Sequence, residues 1–269
     1  MPTNSSDESN EQKKAQVQAY FSRTAANYVT STSHRTGSDL QRLVALGEWE
    51  PSLRAIDLAT GGGHTALVVA PHVAKITVTD LTPAMLQQAQ TFLLEQGVTN
   101  AHFQIADAEH LPFEDASFER ATCRIAPHHF PNVTQAISEV ARVLTPGGLF
   151  LLIDSCAPTD PQLDIFDNTI EKWRDNSHGR SYNRLEWNAF FEGAGLLVER
   201  QEIFRRTHQY QDWTARSQMS DEEKQKLEEY ILSSTPAIQH YFEVTREADG
   251  RLKSLSMDFI LLKGRKPKV

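Results

Sequence analysis

From Arg54 to Asp154 the chain swings repeatedly between short, β-branched apolar runs and segments of helical period, and the first swing passes through Gly61-Gly62-Gly63. That rhythm constrains the fold more than any other feature. Arg54–Ala59, Lys75–Thr79, His102–Ile105, Phe118–Ile125 and Leu149–Asp154 read as strands, with Thr65–Val73, Thr82–Gln96 and Val133–Leu144 as helices. Strands joined by helical crossovers pair in parallel, the crossovers are right-handed, and the helices cover both faces of the sheet. The class is therefore α/β, a doubly wound and mainly parallel sheet whose ligand site lies at the carboxyl ends of the strands.

The flanks add to this core. Val17, Tyr20, Phe21, Ala25 and Tyr28 are spaced by three and four residues, which predicts a helix over 12–30, followed by a second from Ser38 to Gly47. Residues 1–14 are polar, lack the apolar core of a signal peptide, and are expected to form a disordered tail ahead of a single domain spanning 15–269. After the fifth strand come an insertion at about 158–181, an amphipathic helix at Arg184–Ala194 and a sixth strand at Leu196–Phe204. A charged, mostly helical insertion at about 207–241 carries the capping box Ser220-Asp221-Glu222-Glu223. Phe242–Thr245 and Lys253–Leu262 flank an Asp249-Gly250 turn and read as a hairpin closing the sheet edge, for about seven strands in all.

Composition excludes several functions. A formal charge of −8 with no basic run interleaved with aromatics opposes nucleic acid as a partner. No apolar run approaches the roughly 20 residues of a membrane span. Cys123 and Cys156, the only cysteines, sit in strand-like contexts that suit buried thiols in a reducing compartment, so a cytoplasmic location is expected.

The turn after the first strand, Asp57-Leu58-Ala59-Thr60-Gly61-Gly62-Gly63, lets backbone approach a nucleotide-like ligand, although many βα turns use glycine only to reverse direction. Asp80 closes the second strand 23 residues after Asp57, where a carboxylate can accept from both ribose hydroxyls or simply cap the next helix. Asp107 follows the third strand and precedes Leu111-Pro112-Phe113, so a carboxylate and apolar groups could flank a purine. A dinucleotide would want G-x-G-x-x-G, which this loop does not offer.

Together, Asp57–Gly63, Thr79-Asp80-Leu81, Ala106-Asp107-Ala108-Glu109 and Arg142-Val143-Leu144-Thr145-Pro146-Gly147-Gly148 resemble the class I methyltransferases, in particular the quinone-biosynthesis-like branch. The resemblance covers about residues 15–155 and implies a Rossmann-like fold that uses S-adenosyl-L-methionine. It implies that Ala59, Thr60, Gly61 and Gly63 approach the methionyl part, Asp80 takes the ribose, Leu81 and Met85 pack on the adenine, and Asp107 takes its amino group, with Ala108 beside it as a further cofactor contact. Ala59 stands where the family has its first glycine. Arg124 and Tyr28 are further candidates for cofactor contact.

Methyl transfer asks a protein to align, to desolvate and, for a protonated acceptor, to remove one proton. His128 and His129 follow the fourth strand beside the expected methyl position and are the candidate bases, packing or helix capping being the alternative for each. Adjacent histidines are not at helical ligand spacing and no third ligand is apparent, so no metal is expected. The insertions at about 158–181 and 207–241 are expected to form a substrate cap, the stretch Trp173–Tyr182 bringing His178, Arg180 and Tyr182 to the acceptor and the second insertion also being a possible homodimer surface. The expected function is methylation of an oxygen or activated carbon of a small-molecule acceptor. The alternatives are N-methylation of a small amine, a non-catalytic cofactor-binding regulatory module, and a nicotinamide-dependent oxidoreductase.

Overall fold

The computed structural model describes residues 5–30, 37–215, 217 and 219–268, with residues 5–8 and 24–30 by their backbone alone. Two helices, α1 (Ser5–Thr30) and α2 (Ser38–Leu46), precede β1 (Arg54–Leu58) and α3 (His64–Val69). Then follow β2 (Lys75–Asp80), α4 (Pro83–Glu95), β3 (Ala101–Ile105), β4 (Phe118–Arg124), α5 (Val133–Val143) and β5 (Leu144–Ala157). Beyond these lie α6 (Pro161–Arg174), β6 (Tyr182–Asn183), α7 (Arg184–Gly193), β7 (Leu197–Gln209) and α8 (Tyr210–Ala215). The chain closes with α9 (Asp221–Leu232), α10 (Pro236–Tyr241), β8 (Thr245–Arg246) and β9 (Leu252–Arg265).

Among the described residues the sheet has nine strands: seven in the order β3-β2-β1-β4-β5-β9-β7, with short β6 on β5 and β8 on β9. The pairs among β1 to β5 are parallel, whereas β9 runs antiparallel to both β5 and β7. The α/β, mainly parallel class holds, and one detail is corrected. The last hairpin does not close an edge, because β9 inserts between β5 and β7 and leaves β7 outermost. Its near-continuous apolar run, Phe259–Leu262, suits that interior place, since a strand buried on both faces needs apolar residues at every position.

Alternation on β5 shows how the two faces fill. Phe150 and Leu152 join Ile137, Val140, Trp187 and Phe191 on one side, under α5 and α7. Leu151 and Ile153 face Leu43, Val69, Leu86 and Leu93 on the other, under α2, α3 and α4. A third cluster holds Phe166 and Ile170 of α6 to Tyr210, Trp213, Leu227 and Ile231 and to the early residues of β9. The residues following the fifth strand thus build an apolar core of their own. Of the residues 1–14 expected as a tail, 5–14 belong to α1.

β1 has β2 on one side and β4 on the other, so successive crossovers leave it in opposite directions and open a crevice at its carboxyl end. The turns at that end are conformationally special. Ala59, Gly61 and Gly63 have φ of 47°, 57° and 81°, and Ile125 after β4 has φ of 53°. Left-handed backbone costs a residue with a Cβ about 1–2 kcal/mol, so Ala59 and β-branched Ile125 are held there by their surroundings.

Candidate active site

A cavity of about 430 Å³ opens at this crevice, within the usual range for small-molecule sites. Ala59, Thr60, Gly61, Asp80, Leu81, Met85, Asp107, Ala108, Arg124, His128 and His129 all line it, so most residues singled out from sequence converge on one space. Gly63 does not line it. Its missing Cβ faces Ala89 and Leu93 of α4 at 3.3 and 3.4 Å, so this glycine serves the approach of two helices and a left-handed turn. Tyr28 keeps its place on α1, but its side chain lies outside the described residues.

The glycine turn is tied from below. Asp57 is buried and accepts from the hydroxyls of Thr60 and Thr122, each at 2.6 Å. Burial pushes its carboxyl up to about 6, although both hydroxyls act against that. Asp80 accepts from the backbone N–H of Gly61 at 3.0 Å and of Thr82 at 2.9 Å. Burial raises its pKa too, against the pull of those two N–H groups. A carboxylate has about four acceptor positions, so Asp80 keeps capacity for a ligand with paired hydroxyls, and its role as a hydrogen-bonded bracket for the turn is compatible with both readings of the sequence.

The second region is acidic. Asp107 accepts from the N–H of Glu109 at 2.9 Å and from the ammonium of Lys14 at 2.7 Å. Lys14 also meets Glu109 at 2.9 Å. Asp107, Glu109 and His110 bring their donor atoms within 4.8 Å of one another, a spacing open to a cation that the Lys14 ammonium meets at two of its three members. Gln18 of α1 donates to the carbonyl of Leu81 at 2.9 Å, which lays the helix across this end of the cavity.

The third region holds the histidines. His128 Nδ1 lies 2.6 Å from Asp154 Oδ1, and the His128 backbone N–H donates to the other oxygen of Asp154 at 2.8 Å. Asp154 is wholly buried within β5, and a carboxylate accepts only, so in the neutral ring Nδ1 carries the proton and Nε2 the lone pair. Burial by itself lowers the His128 pKa, but the Asp154 charge and hydrogen bond outweigh it, and the net shift is upward from 6.5.

His129 differs in its partner. Its Nδ1 donates to the Ser177 carbonyl at 3.0 Å. A neutral carbonyl does not hold an imidazolium as Asp154 does, and burial together with the neighbouring His128 charge brings His129 down to about 4. The two rings lie 4.1 Å apart between centroids. His178, from the first insertion, lines the same wall with its ring 5.4 Å from that of His128, and burial lowers its pKa to about 3.

Beside the histidines, Asp39 of α2 pairs with Arg124 and with Arg206 of β7, each at 2.6 Å. Two guanidinium groups thus share one buried carboxylate, and the Arg206 guanidinium also lies 4.3 Å from the Phe259 ring centroid. Phe21, Phe204 and Trp213 also line the cavity, as do Glu171, Arg174 and Asp175. Arg180 and Tyr182 do not line it.

Sequence reasoning missed Lys14, Asp39, Asp154 and Arg206. Lys14 lay in the presumed tail, and Asp39 and Arg206 lie at sequence separations no local motif links. Asp154 carried one signal, a charge at the end of an otherwise apolar strand.

Comparison with known proteins converges on the same segment. Residues 56–152 match a family model described as a methyltransferase domain. The uncharacterized methyltransferase YcgJ of Bacillus subtilis is 35% identical over 91% of this chain and 97% of its own length. The chain belongs to the class I S-adenosylmethionine-dependent methyltransferases. A solved methyltransferase structure (BH2331) from Bacillus halodurans superposes with a TM-score of 0.84 at 39% identity, covering 86% of this chain and all of that one. The ubiquinone/menaquinone biosynthesis C-methyltransferase UbiE of Brucella anthropi is 28% identical over 60% of this chain and 64% of its own length.

This methyltransferase is an enzyme that uses S-adenosyl-L-methionine. The residues present fit that group: the turn carries no basic side chain, which suits a ligand without phosphate, and the Asp80 and Asp107 carboxylates that line the cavity can accept from hydroxyl and amino donors. Among the described residues no helix is long and apolar enough to cross a membrane.

Proposed function

We propose that this methyltransferase methylates an oxygen or activated carbon of a small-molecule acceptor, with His128 as general base. The observation that carries the reading is the 2.6 Å contact between His128 Nδ1 and the buried Asp154, on the wall of the cavity that also contains the glycine turn and Asp80. A carboxylate on Nδ1 fixes the tautomer, aims Nε2 and stabilises the imidazolium once a proton arrives. His129, held at about 4 beside it, is too weak a base for the same task at neutral pH and instead shapes the wall.

In this reading Asp80 holds the ribose hydroxyls, Asp107 and Ala108 the adenine edge, and Leu81 and Met85 its face. Ala59, Thr60 and Gly61 bring backbone to the methionyl part, with Arg124 nearby. The bound cofactor supplies an activated methyl on a positively charged sulfur. The chain's own residues bind the acceptor, exclude water and take the acceptor's proton on His128 Nε2 as the new bond to its oxygen or carbon forms. The segments 158–181 and 207–241 form the cap over the acceptor end, supported by His178, Arg174, His208 and Trp213 on the cavity wall and by the apolar cluster joining α6, α8 and α9. A small-molecule acceptor and a cytoplasmic location complete this reading.

The test is turnover, read as release of S-adenosylhomocysteine, with a panel of small phenols, enolisable ketones and amines. His128→Ala is expected to lose at least about a hundredfold in rate, while His129→Ala retains most of it. Equal losses, or none, would reject His128 as the base, and turnover of amines alone would favour nitrogen methylation.

A further inference from the structure

α1 does more than cover the site. Lys14 is 6% exposed, and its ammonium sits 2.7 Å from Asp107 Oδ2 and 2.9 Å from Glu109 Oε2. Glu109 is itself buried and accepts from the Asn132 N–H at 2.6 Å, so it is fixed by the chain beyond β4. Both carboxylates line the cavity, and so do Lys14, Val17 and Phe21 of α1. Phe21 reaches further, with its ring edge-on to His129 at 5.0 Å. The helix therefore touches the acidic end through an ammonium and the histidine end through an aromatic ring.

We propose that Lys14 is an internal occupant of the adenine-recognition carboxylates, so that docking of α1 and binding of the adenosyl group compete for Asp107. This rests on the placement of adenine proposed above. The exocyclic amino group of adenine and the lysine ammonium are both hydrogen-bond donors, and both seek the same carboxylate. In the present arrangement Asp107 Oδ1 accepts from the Glu109 N–H, and Oδ2 faces Lys14 with His110 Nδ1 at 3.3 Å. With Lys14 and His110 both on Oδ2, a purine amino group that turns to that oxygen contends with the Lys14 ammonium for it.

Competition has a quantitative consequence: the apparent affinity for an adenosyl ligand is reduced by the fraction of molecules in which Asp107 is open. It also makes Lys14 a specificity residue. A purine with a 6-oxo group in place of the 6-amino group presents an acceptor, which Asp107 repels and Lys14 can bridge.

The experiment is calorimetric titration of the full chain with S-adenosylhomocysteine and with S-inosylhomocysteine, using wild type, Lys14→Met and Asp107→Asn. Lys14→Met is expected to bind S-adenosylhomocysteine about three- to tenfold more tightly and S-inosylhomocysteine more weakly than wild type. Weaker or unchanged binding of the adenosyl ligand by Lys14→Met overturns the proposal. So does a shift of both ligands in the same direction, which is what a general change in α1 packing would give. The underlying placement has its own arm: if Asp107→Asn leaves adenosyl binding unaltered, the adenine lies elsewhere and the proposed cofactor site fails together with the competition.

Discussion

At the scale of single residues, the decisive contrast is between two adjacent histidines with different partners. His128 faces a buried carboxylate and His129 a carbonyl, and their pKa values move apart for that reason, one above 6.5 and the other to about 4. A base must be neutral to act, so the rate is expected to climb with pH through the His128 pKa, above 6.5. In Asp154→Asn the opposing charge is gone while burial remains, which should move that climb to lower pH and lower the plateau at least about tenfold. A pH–rate profile of wild type and variant reads both effects. A climb left in place by Asp154→Asn would detach the carboxylate from the titrating group. The sequence showed the paired histidines and not the distinction between them, because Asp154 lies 26 residues away on another strand.

At the scale of elements, Arg142 shows how a helix holds the acidic loop in place. From the last turn of α5 it donates to the carbonyls of Leu111 and Phe113 and pairs with Glu139 and Asp115. Glu139 in turn accepts from the Leu111 N–H at 2.8 Å. Replacing Arg142 with Met removes these donors from a half-buried site, and unmet carbonyls cost about 1–3 kcal/mol when buried; solvent access here puts the expected loss near the lower bound. Thermal unfolding should register it, and S-adenosylhomocysteine should bind more weakly because Asp107 and Glu109 sit on the loop that is loosened. Full ligand affinity in Arg142→Met would show that the loop is ordered by other contacts.

Element order was largely legible because the governing signals are local. The glycine turn, the Thr82-Pro83 helix start and the Ser220 capping box each appear where a short pattern placed them. The place of β9 was not legible. A hairpin turn specifies which strand follows, but not that the long strand passes inside the sheet, which is set by the two apolar faces it must fill. The same limit hid the contacts of α1: an amphipathic spacing identified the helix, while the polar residues ahead of it gave no sign that Lys14 would be buried against Asp107.

At the scale of the whole molecule, the enzyme divides by what is shared and what is particular. The family model stops at residue 152 and contains the glycine turn, Asp80, Asp107 and both histidines. Asp154, the insertions, β7 with Arg206 and the N-terminal helices lie outside it; in the proposed function they are the base's partner, the cap and the cover. On that proposal a fold common to many chemistries holds the cofactor end, and acceptor choice falls to the segments around it. The central claim is that the cavity at the β1 crevice binds the adenosyl cofactor through Asp80, and calorimetric titration with S-adenosylhomocysteine, comparing wild type with Asp80→Ala, tests it most directly. Saturable binding by wild type that weakens by about a hundredfold or more in the variant, roughly 2.7 kcal/mol, is the expected result; equal affinity in the two proteins would contradict it and move the cofactor away from this cavity.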